Sequence, residues 1–297
     1  MGRPFPLVAR LANVIRQAGS GASAAARRGQ DGPVPEGDTV WLASRRMHDA
    51  LAGRELTRFD LRVPRHATAD LTGRRVTEVL ARGKHMLTRV DGGLTLHTHF
   101  RMDGSWHLQR PGARWRGGPA HQVRAVLANA EWEAVGYRLH DVRLLPTAEE
   151  DILVGHLGPD VLGPDWDPAE VARRIAADPD RAIGDVLLDQ RVLAGVGNLY
   201  KSETLFLTGL SPWTPVRDVP DVPAVATTAH RLMRANRDHP EQSTTGSLRR
   251  DETHWVHGRA GRACRRCGTR IRLGEQGAGE YARVTFWCPR CQPGPGG

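Results

Sequence analysis

The chain has 297 residues, 39% of them hydrophobic, and carries 42 lysines and arginines against 33 acidic residues, for a net charge of +9. That length suits one or two domains plus small modules, and the absence of an 18-residue apolar run excludes a helical membrane span. The basic excess favours a polyanionic partner, with an ordinary solvated surface as the alternative.

Residues 1–34 form an extension of different character. Up to residue 33 it holds five arginines and one aspartate, and Gly19–Ala26 is a run of small residues. An Arg-rich, acid-poor segment without an apolar core resembles a targeting peptide other than a secretory one. The other reading is that this stretch is not part of the mature protein. Val34 belongs to a codon class that includes an alternative start, and initiation there would leave Pro35 beside the initiator.

Thr39, Val40, Trp41, Leu42, Met47 and Leu51 then give one apolar helical face, stopped by Gly53. Short alternating runs follow at 55–63, 75–79, 85–90, 94–99 and 121–127, with Asp91-Gly92-Gly93 as a hairpin signal. They predict a β-sandwich or barrel, and a catalytic domain over 35–149. From about residue 150 the pattern becomes helical. Asp167-Pro168 reads as a cap followed by proline at the first helical position. Val171, Ile175, Ile183, Val186 and Leu187 continue one periodicity, Gly195-Val196-Gly197-Asn198 interrupts it, and a further helix is expected around Val222–Asn236. Residues 241–246 read as a loop. The fold class expected is α+β: an N-terminal helix plus β-sandwich, a helical module over 150–250, and a small module over 257–292.

That last module holds every cysteine. Cys264-x2-Cys267 and Cys288-x2-Cys291 are two knuckles suited to tetrahedral thiolate coordination of one zinc ion. With four protein ligands the zinc would be structural. Residues 258–297 also carry eight arginines against two glutamates, an excess that points to DNA contact as well as to folding. Of the 42 basic residues only Lys84 and Lys201 are lysines, which leaves 40 arginines. A compact ammonium at those two positions can do what a planar guanidinium cannot. Two glycines before a helix start let backbone N–H groups approach an anion. Finally, Pro35-Glu36 pairs a residue whose nitrogen, once freed, is a nucleophilic secondary amine with a carboxylate able to move a proton.

The Pro35-Glu36-Gly37 start, Arg82-Gly83-Lys84-His85, the Gly195–Glu203 turn and the four-cysteine finger stand in this order. In that order they resemble the formamidopyrimidine-DNA glycosylase / endonuclease VIII family, over Pro35 to about Gln292. Asp38-Thr39-Val40-Trp41 and Asn198–Glu203 look most like its actinobacterial endonuclease VIII branch, Nei2. The resemblance implies a helix-two-turns-helix module at 150–250 and a bacterial, cytoplasmic, nucleoid-associated monomer acting on damaged duplex or single-stranded DNA, with no membrane. It implies base excision with strand cleavage, oxidised pyrimidines favoured. Pro35 would attack C1′, Glu36 would transfer a proton, and Lys84 would hold a phosphate at the lesion. Asn198 and Arg283 would grip the backbone, Met102 would fill the hole left by the flipped nucleotide unless it is simply a strand core residue, and Arg143 would meet the orphaned base. Two departures stand out. Thr39 occupies the place of a second glutamate, and the aromatic wedge is either replaced by Leu145 or absent. The alternative is a catalytically inactive zinc-finger DNA-binding protein.

Overall fold

In the computed structural model, residues 35–249, 251–277 and 282–296 are described, so the extension expected over 1–34 lies outside them, as do Gly279-Glu280-Tyr281 before Arg283. Helix α1 (Gly37–Leu51) buries the expected stripe of Val40, Met47 and Leu51. Gly53 follows in the left-handed region, at φ +75°. Two antiparallel four-stranded sheets come next. One has the order β2 (Val76–Arg82), β3 (His85–Val90), β4 (Leu94–His99), β8 (Asp141–Pro146). The other runs β1 (Arg58–Leu61), β6 (Val123–Ala128), β7 (Glu133–Tyr137), β5 (Ser105–Gln109). Alternation sends Phe59, Val79, Met86, Leu96 and Leu127 into one core, closed by α1. Gly92 and Gly93 take φ of 86° and 69° in the β3–β4 turn, as their sequence led us to expect.

Strands β5 and β7 do not stand out among the alternating runs of the sequence. Strand β7 is buried at every position, so it has no alternation to read. Its outer face is covered because Trp115 folds over Val126, Val135 and Tyr137. Strand β5 is nowhere fully buried and carries only weak apolar signal.

The second half is helical: α2 (Asp151–Val154), α3 (Pro168–Ala176), α4 (Ile183–Leu188), α5 (Asn198–Thr208) and α6 (Val222–Asn236). The Asp167 carboxylate accepts from Ala169 N at 2.9 Å, and Pro168 takes the first turn, where its missing N–H costs nothing. One expected periodicity is two helices, because the Asp178–Arg181 turn separates α3 from α4; both still feed one core with Val196, Tyr200 and Met233.

The chain ends in the hairpin β9 (Arg272–Gln276) and β10 (Arg283–Trp287), packed on α5 through Phe206, Val256, Ile271 and Phe286. Glu203 anchors its entry. Fully buried, it accepts from the N–H groups of Trp255, Val256 and His257, each at 2.8 Å. Truncating it would strand three donors, at about 1–3 kcal/mol each.

Candidate active site

The chain enters α1 through Pro35, half-buried, and Glu36, which is 1% exposed. Glu36 does not point into solvent. Its Oε2 accepts from Gly197 N and its Oε1 from Leu199 N, both at 2.7 Å. These are N–H groups at the start of α5, where orphan donors and the helix dipole both favour a negative charge. The glycine turn was expected to offer its N–H groups to an external anion; two of them are instead satisfied by the protein's own carboxylate. Those bonds and nearby Lys84 stabilise the charged form. Burial outweighs them, with Asp38 adding repulsion, and raises the Glu36 carboxyl to about 7. A carboxyl poised there can give or take a proton at physiological pH.

The two glycines of the turn have separate reasons. Gly195 adopts φ +102°, which only glycine tolerates readily. Gly197 is extended, at φ −124°, so its backbone needs no glycine. There the constraint is space: a Cβ would lie 2.5 Å from the Glu36 carboxyl carbon and 2.7 Å from Lys84 Nζ. That one clash places Lys84 and Glu36 side by side over the turn. The α1 entrance is seated just as closely. Gly37 N donates to Gly195 O at 3.0 Å, and a Cβ on Gly37 would sit 2.9 Å from Gly195 Cα.

Lys84 is placed by a two-residue hairpin. Arg82 pairs with His85, and Gly83 takes φ +58° at the first turn position. Buried Asp160 fixes this turn from the helical module, accepting from Gly83 N at 2.6 Å and Leu162 N at 3.0 Å. Burial lowers the lysine's pKa, opposed by Glu36 and Asp38. Gln190 holds the other side: its Oε1 accepts from Gly195 N, and its Nε2 donates to Val196 O, both at 2.9 Å.

Asp38 is a second buried carboxylate that the sequence reading passed over. It is 2% exposed; Tyr200 OH donates to it at 2.5 Å, and Gln242 Nε2 lies 3.1 Å from both its oxygens. Burial raises its pKa. An acid in the first turn of a helix reads as a dipole partner, and a glutamine in a polar loop reads as solvated; nothing local signals that they meet. Thr39 lies at the edge of the same group, 3.4 Å from Gln242 Nε2.

The remaining candidates fall in two places. Asn198 opens α5 and donates from Nδ2 to Val284 O at 2.7 Å, which brings the β10 strand with Arg283 up to the glycine turn. Arg283 lies close enough to Lys84 to disfavour its charge. Met102 and Arg143 lie apart from that group. Met102, read as either a core residue or a void filler, is 75% exposed on the turn after β4. Arg101 ties that turn to Asp141 at 2.8 Å, two residues before exposed Arg143 on β8. His85, the last residue of the Arg82–His85 motif, packs against the rings of His97 and His99. The His85 and His97 ring nitrogens are 2.8 Å apart, and burial holds all three imidazoles neutral, at about 3 for His85 and about 4 for the others.

In the finger the four cysteine sulfurs lie within 4.8 Å of one another, with Cys264–Cys291 at 3.9 Å and Cys267–Cys288 at 3.4 Å. A tetrahedral thiolate site with ~2.3 Å bonds puts its sulfurs ~3.8 Å apart. The cluster therefore fits one structural metal ion.

A sandwich, a helical module whose glycine turn holds one buried carboxyl, and a four-cysteine hairpin bonded to the same helix define a family. Residues 34–147 match the formamidopyrimidine-DNA glycosylase N-terminal domain, and residues 157–257 match the H2TH domain of the same glycosylases. The chain belongs to this formamidopyrimidine-DNA glycosylase / endonuclease VIII family of DNA repair glycosylases. Within it, the chain is 59% identical over 264 residues to the probable endonuclease 8 2 of Streptomyces coelicolor, covering 88% of this chain and 95% of that protein. It is 44% identical over 259 residues to the DNA-(apurinic or apyrimidinic site) lyase Nei2 of Mycolicibacterium smegmatis, covering 87% and 99%. Among solved structures it shares the fold of the Lactococcus lactis Fpg in complex with abasic-site DNA, with a TM-score of 0.72 at 20% identity over 87% of this chain and all of that one.

Proposed function

We propose that the protein is a bifunctional DNA glycosylase and abasic-site lyase that removes oxidised bases, pyrimidines in preference to purines, and cleaves the strand by β,δ-elimination. The observation that carries this reading is Glu36: a buried carboxyl near neutrality, immediately after a proline and beside the Lys84 ammonium. The names of the Streptomyces and Mycolicibacterium relatives support it.

With its nitrogen free, Pro35 attacks C1′ of the damaged nucleotide, and the glycosidic bond breaks as the base departs with the bonding electrons. Glu36 donates its proton to the sugar ring oxygen, the ring opens, and a charged imine joins Pro35 to C1′. Loss of the C2′ proton then expels the 3′ phosphate, and loss of the C4′ proton expels the 5′ phosphate. Lys84, Asn198 and Arg283 hold phosphates around the lesion while the nucleotide is extruded, a distortion that backbone grips sustain. Met102 fills the vacated stack and Arg143 meets the orphaned base, consistent with their exposure on one rim. Cys264, Cys267, Cys288 and Cys291 hold one structural zinc, which fixes the hairpin and takes no chemical step. The imine requires a secondary amine, so in the active form Pro35 is the first residue.

Borohydride reduction of the protein starting at Pro35, mixed with abasic-site DNA, is expected to give a covalent adduct, and intact mass of the native protein to show that start. No adduct from correctly processed protein would refute the lyase reading. Glu36→Gln separates the steps. On a preformed abasic site the base is already gone and the hemiacetal sugar opens to its aldehyde unaided, so trapping persists while base removal falls by about 10²–10⁴-fold.

A further inference from the structure

Lys201 is one of two lysines in a chain that otherwise uses arginine, and the mechanism above gives it no task. It lies on α5, three residues after Asn198. Its side chain is fully buried and runs under the hairpin, where Nζ donates to Thr285 Oγ1 at 2.7 Å and reaches Gln276 Oε1 at 3.4 Å. Gln276 pairs with Arg283 across the hairpin, and its amide donates to Pro212 O at 2.7 Å. Asn198 and Lys201, one turn apart, therefore take hold of successive β10 residues: the carbonyl of Val284 and the hydroxyl of Thr285. Arg283 is the next residue along that strand.

We propose that Lys201 is a positioning residue for DNA binding, whose buried ammonium fixes the strand carrying Arg283 against α5 so that Arg283 meets backbone phosphate. This rests on the reading of Arg283 as a phosphate grip. The residue type follows from the site. A compact ammonium on a thin stem fits a fully enclosed channel between two oxygen acceptors, whereas a planar guanidinium would need room and further acceptors. Placing a cation there is costly. The charged groups acting on it are Asp185 on α4 and Glu36 at the α1 entrance, both favourable, and Arg283 on β10, unfavourable; Lys201 in turn disfavours protonation of buried His257. With no carboxylate among the described residues in direct contact, burial pulls the lysine down to about 7. A methionine would be cheaper for stability alone, which is why the contact with Thr285 is assigned a binding role.

The test is a double-mutant cycle in the full chain, read as the dissociation constant for duplex DNA with a reduced abasic-site analogue. Arg283→Ala is expected to weaken binding about tenfold or more and to reduce the salt dependence by about one ion. Lys201→Met should do the same with zinc content unchanged, although residue 201 touches no phosphate, and the double variant should be no weaker than either single one. A stability defect alone would lower the melting temperature without changing the salt slope. If Lys201→Met fails to fold, Thr285→Val removes the acceptor instead and carries the same expectation. Additive effects, or wild-type affinity in Lys201→Met or Thr285→Val, overturn the inference. Wild-type affinity in Arg283→Ala overturns the phosphate reading first, and the inference with it.

Discussion

Asp38 is buried and accepts from Tyr200 OH and Gln242 Nε2. By resemblance, Thr39 takes the place of a second glutamate, which would leave the site short of one carboxylate. The structure supplies one a residue earlier: Asp38, buried with Tyr200 and Gln242, close enough to raise the Glu36 carboxyl. Its charge is a reason that Glu36 stays protonated near neutrality. Asp38→Asn keeps an acceptor for Tyr200, and a flipped Gln242 amide can accept from the new NH2. Removing the charge lets Glu36 ionise at lower pH. If protonated Glu36 is the acid, base removal then falls off at lower pH than in wild type, with a several-fold loss at pH 8 and little below pH 5. A pH–rate profile for base release, beside one for cleavage of preformed abasic sites, checks this; an unshifted limb would show that Asp38 acts by packing alone. The difference in legibility has a physical cause. Pro35-Glu36, Lys84 and the cysteines carry their chemistry in local spacing. Asp38, Asp160 and Gln242 acquire theirs from partners tens to hundreds of residues away, and each alone reads as an ordinary helix-start or loop residue.

At the scale of elements, the site is where three tight turns meet: the α1 entrance, the Gly83-Lys84 hairpin and the glycine turn before α5. Their glycines were legible as turns, but only the packing separates their functions. Gly195 is a backbone requirement, and Gly197 is a requirement for volume. Gly197→Ala therefore leaves the helix start intact and pushes a methyl group between the Glu36 carboxyl and the Lys84 ammonium. Lys84 can swing away, but Glu36 is held by two N–H groups and has to break them. A loss of about 1–3 kcal/mol in stability is expected from the overpacking, too little to unfold a domain of ordinary stability. The loss in base removal should exceed 100-fold, as for a displaced general acid. Thermal melting and single-turnover base release measure the two separately. Near-wild-type turnover would mean that the carboxyl does not need its seat on α5. The strands missed in the sequence make a related point. Strand β7 is hidden because Trp115 covers its second face, an event set by a loop some twenty residues away.

Among the described residues separate cores lie in the sandwich behind α1, in the helical module and, smaller, under the hairpin. The hairpin has two strands and a handful of apolar residues, too little to be stable alone. A metal held by the four thiolates would supply the rest, and its removal would then be removal of folding free energy. Yet α5 is bonded to this module in three ways: Asn198 to Val284, Lys201 to Thr285, and Glu203 to the 255–257 backbone. Stripping the metal with a strong chelator should release all three. Hydrogen-exchange protection is then expected to vanish over 255–292 while β2–β4 and α1 stay protected, since their core shares no residue with the hairpin. Affinity for abasic-site DNA should fall about 100-fold or more and its salt dependence should flatten, because the module from 258 onward carries eight of the chain's arginines. Added zinc should restore both. Loss of protection in the sandwich at the same chelator concentration would show that the cores unfold as one, and that the metal stabilises the catalytic carboxyl as well as the DNA grip.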